Sequence, residues 1–333
     1  MLQKRITLAG LLKCGAEDCQ QALHARCARQ LQQLSTVPLP LKLQPVRENM
    51  VTAAIKAEAL AAAPSTVGGA LEEVERFTNN AAISLKELRE PSGGAATSRT
   101  IQSLLDWSFS ELLAYRVLAQ RHAELDRDPS AGSGMIEPDC PLDAVLKHSI
   151  EDARAFCREK FGDSPEVELV AVGEGPSTLA LALPAYLRFP LHELLKNAMG
   201  AHARRAGADR LDELPHIRVS YAVTRDGWGG IEVEDCGGGC SAPGAASESA
   251  RFLSTTNPER EPNYQYSRDF GSQFEGLGMG LPLARLHARY LGGELQLAGL
   301  PGVGVRATLG FDATGTRSDA MCDAAWVQRW VRE

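Results

Sequence analysis

Two glycine clusters bracket a long aperiodic stretch in the second half of this chain, and no other feature constrains the fold as strongly. Asp235-Cys236-Gly237-Gly238-Gly239 follows a short apolar run, and Gly276-Leu277-Gly278-Met279-Gly280-Leu281-Pro282 leads into a helical one. Between them, Cys240 to Glu275 shows no sustained period. Loops beyond about fifteen residues with no structure of their own are functional or disordered. Glycines at both ends admit backbone conformations and close approaches that side chains forbid.

Each segment has its own chemistry. Gly276, Leu277, Gly278, Met279, Gly280 and Leu281 precede Pro282, which suits the first turn of a helix because its missing N–H costs nothing there. The free N–H groups of such a turn, with the helix dipole, can cradle phosphates. Asp235, at the end of a strand-like run, can accept a hydrogen bond from an exocyclic amine such as that of adenine. Upstream, Glu193, Lys196, Asn197 and Gly200 fall at i, i+3, i+4 and i+7 of a helical segment. Leu191, Leu194, Leu195 and Ala198 form its apolar side. A polar stripe is most often a solvated face. Asparagine is a poor helix former, however, and a carboxylate one turn before it suits a divalent cation and its water. Taken singly, short glycine patterns are weak signals.

The first half reads as helical. Ala22 to Leu34, Asn49 to Ala63, Leu71 to Leu88 and Ile101 to His122 are helix-forming runs separated by Pro- and Gly-rich breakers. Four such helices predict an antiparallel bundle over residues 1–130. Asp126 to Asp139, rich in Gly, Pro, Ser and Asp, predicts a boundary. The second half, 140–315, reads α-β-β-α-β-β-loop-α-β-β, with helices over Leu142–Phe161, Leu187–Ala206 and Gly280–Leu291 and strands over Val167–Val172, Leu179–Leu183, Ile217–Val223, Gly230–Glu234, Glu294–Leu300 and Val303–Phe311. This order predicts an α+β chain whose second domain is one sheet with helices on one face. Residues 316–333 form a tail.

Composition excludes several classes. The net charge of -7 lacks the basic excess of a nucleic-acid-binding protein. No run of about eighteen uncharged apolar residues predicts membrane insertion. The eight cysteines include no C-x-x-C pair and predict reduced thiols. Met1 to Leu12 lacks a signal-peptide pattern, so a targeting segment is expected to be removed, absent or cryptic.

The order of the three segments resembles the superfamily that includes gyrase B, MutL and histidine kinases. It implies the Bergerat-type ATP-binding sandwich, with 240–275 as an ATP lid. The wording is closest to the mitochondrial branched-chain α-ketoacid and pyruvate dehydrogenase kinases. Glu193-Leu194-Leu195-Lys196-Asn197-Ala198-Met199 resembles that family's E-L-[LF]-K-N-A-M. Asp235 with Gly237, Gly238 and Gly239 resembles its D-R-G-G-G, and Gly276 to Pro282 its G-[FL]-G-x-G-L-P. Tyr290 to Leu297, followed by Gly302-Val303-Gly304, is similar to the closing segment of the branched-chain enzyme. Ser254-Thr255 stands nineteen positions after Asp235, where the family's lid carries hydroxyls that contact nucleotide.

This resemblance implies a serine kinase using ATP and Mg²⁺. Glu193 would be the catalytic residue and Asn197 the metal ligand. Lys196, Asp235, Gly237, Gly239, Ser254, Thr255 and the Gly276–Leu281 box would hold nucleotide. It implies a mitochondrial matrix protein that forms a homodimer, with the E1α subunit of an α-ketoacid dehydrogenase complex as substrate and the E2 lipoyl domain as partner. Three positions depart from the family: Phe189 replaces a histidine, Gly200 an arginine, and Val305 a threonine. A histidine autokinase and a non-catalytic ATP-binding scaffold are the rival readings. For the former, His122 is the one candidate acceptor near a helix end, without the usual surrounding motif.

Overall fold

The computed structural model describes residues 7–36, 44–76, 95–128, 134–173, 175, 177–239 and 278–317. The chain divides into two compact units, Gly10–Met135 and Ile136–Glu333, the second joined by Met1–Ala9.

The first half is helical: α1 (Leu8–Lys13), α2 (Ala16–Thr36), α3 (Gln44–Ala61), α4 (67–76) and α5 (Ala95–Arg127). Helix α3 buries Val46, Met50, Ala53, Ala54, Ala57 and Ala61, a stripe of mostly small side chains at helical spacing. Pro64 opens a short 3₁₀ turn beyond it. Helix α2 packs against both α3 and α5. In that interface the Tyr115 hydroxyl donates to Gln30 Oε1 at 3.0 Å, and Arg26 pairs with Glu111 at 3.3 Å. Of the expected helix over 71–88, the part beyond 76 lies outside the described residues.

The second unit runs β1 (Glu137–Pro141), α6 (Leu142–Phe161), β2 (Val167–Ala171), β3 (Thr178–Ala182), α7 (Pro184–Ala206), a 3₁₀ turn (Ala208–Glu213), β4 (Ile217–Val223), β5 (Trp228–Glu234), α8 (Gly280–Tyr290), β6 (Glu294–Leu300) and β7 (Gly304–Asp312). The main sheet has the order β2-β4-β5-β7-β6. Its β2–β4 pair is parallel, and the other pairs are antiparallel.

The expectation of a single sheet is corrected here. Strand β3 leaves the main sheet and pairs antiparallel with β1, a strand whose first three residues, Glu137 to Asp139, fall in the expected boundary segment. Two prolines in Glu137–Pro141 hide the strand pattern. Prolines are tolerated where a strand's N–H row faces no partner, and β1 has only β3 beside it.

Alternation along β4 buries Ile217, Val219, Tyr221 and Val223 on one face. That face forms a core with Leu146 and Ile150 of α6, Leu191, Leu194 and Leu195 of α7, and Ala284 and Ala288 of α8. Fully burying each large aliphatic contributes about 1.5–3 kcal/mol before entropy is counted. On the other face, Arg218, Glu234 and Arg306 stand in cross-strand register, and Arg306 pairs with Glu234 at 2.6 Å. This apolar-in, polar-out pattern fits a sheet covered by helices on one side.

Among the described residues, no helix is long and apolar enough to cross a membrane. Cys14, Cys19, Cys27, Cys140, Cys157 and Cys236 are free thiols. Burial pushes Cys19 up to about 12 and Cys27 and Cys140 to about 11, which removes thiolate reactivity there.

Candidate active site

Helix α7 organises the site. Its buried side fixes the helix on the sheet, and Glu193 sits near the middle with only 3% of its surface exposed. A buried carboxylate requires a partner. Lys196, one turn on, supplies it, with Nζ donating to Glu193 Oε1 at 2.5 Å. The Lys196 ammonium also lies 5.7 Å from the centroid of the Phe156 ring on α6, which restricts where the pair can move. His192 meets the same ring edge-on at 5.9 Å. Burial, then the nearby Lys196 charge, hold the His192 pKa below its ordinary value. Asn197 stands next to this group and is exposed.

The second glycine segment reaches Glu193 from the opposite side. Gly278 has φ +69°, a left-handed conformation that favours glycine. It turns the chain into α8, where the first intrahelical bond runs from Leu283 N–H to Met279 O at 3.0 Å. Gly280 then passes so close to Glu193 that a Cβ there would lie 2.1 Å from Oε2. One carboxylate oxygen is thus engaged by Lys196, and the other faces the start of α8. Arg285 and Arg289 of α8 both donate to the Glu294 carboxylate on β6, at 2.8 and 3.0 Å, and so tie that helix to the sheet.

The first glycine segment continues the β5–β7 ladder and then folds onto α7. Asp235 N–H donates to Val305 O at 3.0 Å, and Gly238 N–H to Val303 O at 2.9 Å. Gly237 N–H returns to Asp235 Oδ1 at 2.8 Å and fixes the carboxylate beside its own loop. Burial raises the Asp235 pKa, and the N–H groups of Gly237 and Val305 and the Arg204 charge oppose that rise. Glycine is obligatory at two places. A Cβ at Gly304 would fall 1.6 Å from the Asp235 carbonyl oxygen, and one at Gly237 would fall 2.3 Å from the Ala201 Cβ on α7.

Of the sequence-predicted residues, Glu193, Lys196 and Gly280 are brought together, as are Asp235 and Gly237. Met279 is buried beneath the start of α8, and Leu281 is partly buried against the core. Gly239, at φ +71°, approaches the Leu300 and Gly304 carbonyls. Ser254, Thr255, Gly276 and Leu277 lie outside the described residues.

Two residues were missed by sequence reasoning. His202 Nε2 accepts from Cys236 N–H at 2.8 Å, and Arg205 donates to the Cys236 and Val303 carbonyls at 2.6 and 3.1 Å. Both lie on α7, and no spacing within that helix discloses a partner more than thirty positions away. Where the family histidine would stand, the Phe189 ring stacks on His287 of α8 at 4.4 Å.

No family model matches the chain. Individual proteins do. A probable mitochondrial pyruvate dehydrogenase (acetyl-transferring) kinase of Caenorhabditis elegans is 33% identical over 268 residues, covering 72% of this chain and 63% of that protein. The mitochondrial pyruvate dehydrogenase (acetyl-transferring) kinase of Drosophila melanogaster is 27% identical, covering 71% of this chain and 58% of its own length. Human isozyme 1 is 30% identical, covering 67% and 51%. The chain thus spans roughly half to three fifths of the curated relatives it matches. The solved structure of full-length ShkA in complex with AMPPNP shares 18% identity at a TM-score of 0.40, over 77% of this chain and 47% of that one, a likeness too slight to carry an inference. On the sequence matches, the chain belongs to the family of the pyruvate and branched-chain α-ketoacid dehydrogenase kinases.

Proposed function

We propose that the second unit is a Bergerat-type sandwich that binds Mg·ATP, and that the chain transfers the γ-phosphate to a serine of the E1α subunit of an α-ketoacid dehydrogenase complex. The observation that carries this reading is that both glycine segments close onto one helix. Gly280 abuts Glu193, and Gly237 abuts Ala201 eight residues later. At a rise of 1.5 Å per residue these points lie about 12 Å apart along α7, a span suited to a nucleoside triphosphate laid lengthwise.

In this reading the Asp235 carboxylate accepts a hydrogen bond from the adenine exocyclic amine. The first-turn N–H groups of α8 face the phosphates, and Ser254 and Thr255 of the lid enclose them. The exposed amide of Asn197 is the metal ligand. Among the described residues no group of three or more His, Cys, Asp or Glu could hold a metal. A single amide oxygen fits Mg²⁺, which keeps several waters and is held largely by substrate phosphates. When bound, that ion offsets charge developing on the phosphates.

Glu193 orients the serine hydroxyl and takes its proton as the new O–P bond forms and the bond to the β-phosphate oxygen breaks, releasing ADP. Lys196, by its hydrogen bond to Oε1, keeps the carboxylate aimed. The names of the relatives support a mitochondrial chain acting on a dehydrogenase complex. Placement in the matrix, docking on E2 lipoyl domains and homodimer formation extend that reading.

A histidine autokinase is disfavoured by its own candidate acceptor. His122 is 5% exposed within α5, which leaves its ring little access to a phosphate. One observation favours a non-catalytic scaffold: the Phe189 ring has no proton to exchange with Glu193. Incubation with γ-labelled ATP and E1 preparations separates these classes. A phosphoester on E1, stable in acid and lost in strong base, and enhanced by E2 lipoyl domains through local concentration, is the expected result. Acid-labile label on the chain itself would establish the histidine kinase. ATP binding with no transfer to any E1 would establish the scaffold.

A further inference from the structure

We propose that His202 is a positioning residue for base recognition: its unprotonated Nε2 anchors the Cys236 peptide and thereby aims the Asp235 carboxylate. The inference rests on Asp235 reading the adenine.

His202 has no exposed surface. Its Nε2 lies 2.8 Å from the Cys236 nitrogen, and a backbone N–H can only donate, so Nε2 must be the acceptor. In the neutral ring the proton is then on Nδ1, which is buried and has no hydrogen-bond partner among the described residues. An unmet buried donor is unfavourable. An apolar side chain of similar size would avoid that cost but leave the Cys236 N–H unmet. What the chain gains is a fixed peptide.

The grip is two-sided. Arg205, three residues on, donates to the Cys236 carbonyl at 2.6 Å, so one helix holds the N–H and the carbonyl of the same residue. The next residue, Gly237, packs on Ala201 and donates its N–H to Asp235 Oδ1 at 2.8 Å. The path from His202 to the carboxylate therefore runs through Cys236 and Gly237, with a hydrogen bond at each end. Burial, followed by the Arg205 charge, lowers the His202 pKa and keeps the acceptor unprotonated.

The test is calorimetric titration of the full chain with Mg·ATP and Mg·GTP, with melting temperatures alongside. His202→Leu is expected to raise the Kd for ATP about tenfold and to shrink the preference for ATP over GTP by a similar factor. His202→Gln, whose amide oxygen can take the place of Nε2, should keep both within about threefold. His202→Asn, too short to reach Cys236, should behave like the leucine variant and decides the matter if that variant does not fold. Equal losses in Gln, Asn and Leu would mean that the ring only packs, and would overturn the proposal. So would an unchanged Kd and preference in a folded His202→Leu. Asp235→Asn, measured in parallel, separates the two claims. If it leaves base preference intact, the Asp235 reading fails and this inference with it. If it abolishes preference while His202→Leu does not, only the role of His202 fails.

Discussion

Asp235→Asn is expected to raise the Kd for Mg·ATP by at least about a hundredfold, with little change in melting temperature. The substitution is isosteric, and its amide oxygen can still accept from Gly237 N–H, now at 2.8 Å from Oδ1. That orientation turns the new NH₂ toward the base, so a donor faces the donor amine of adenine. The loss combines a hydrogen bond to a charged group, about 1.5–3 kcal/mol, with an unmet polar pair costing about 1–3 kcal/mol more. Each 1.4 kcal/mol is tenfold in affinity. Calorimetric titration checks it, and an unchanged Kd would remove Asp235 from the binding site.

Glu193→Gln should separate binding from chemistry. Its ATP affinity is expected to stay within about threefold of the parent, because the proposed function has Glu193 face the acceptor and not the base. The rate of transfer should fall by about 10²–10⁴, the usual contribution of a positioned general base. Glutamine keeps an oxygen for Lys196, so the buried hydrogen bond at 2.5 Å survives in kind and the fold should hold. Gly280→Ala reaches the same end by displacement. Alanine favours the helix, yet its Cβ would fall 2.1 Å from Glu193 Oε2 and push the carboxylate aside. Single-turnover transfer at saturating ATP measures both variants. Parental rates in Glu193→Gln would refute its role as the base.

Local signals carried much of this molecule. Helix α6 and strands β4 and β6 lie where periodicity and the flanking breakers put them, Leu142–Phe161, Ile217–Val223 and Glu294–Leu300. Gly162 ends α6 at φ +91°, a choice open to glycine because it lacks a Cβ. Helix α7 begins at Pro184, three residues before its first expected member, because proline at the first turn starts a helix as readily as it ends one. The Glu193 stripe and the glycine segments were legible for the same reason, since each is a pattern within a few residues of itself.

Long-range pairing was not legible. Glu137 to Asp139 read as part of a boundary segment by composition, yet Glu137–Pro141 is a strand because β3 lies beside it. Gly304 looks like any hairpin glycine, until Asp235 is found where its side chain would be. His202 and Arg205 are ordinary helix residues whose meaning depends on a loop more than thirty positions away. Motif residues are announced within a few positions of one another, whereas residues that hold the motif in place are set by tertiary contact.

The central claim is that a nucleotide lies along α7 with its base at Asp235 and its phosphates at the start of α8. A crystal structure of the full chain with Mg²⁺ and a non-hydrolysable ATP analogue measures this directly. The predicted result has the exocyclic amine about 3 Å from the Asp235 carboxylate, the metal about 2.1 Å from Asn197 Oδ1, and the terminal phosphate between the first turn of α8 and Glu193. A base bound away from Asp235, or phosphates remote from Gly280 and Asn197, would contradict it.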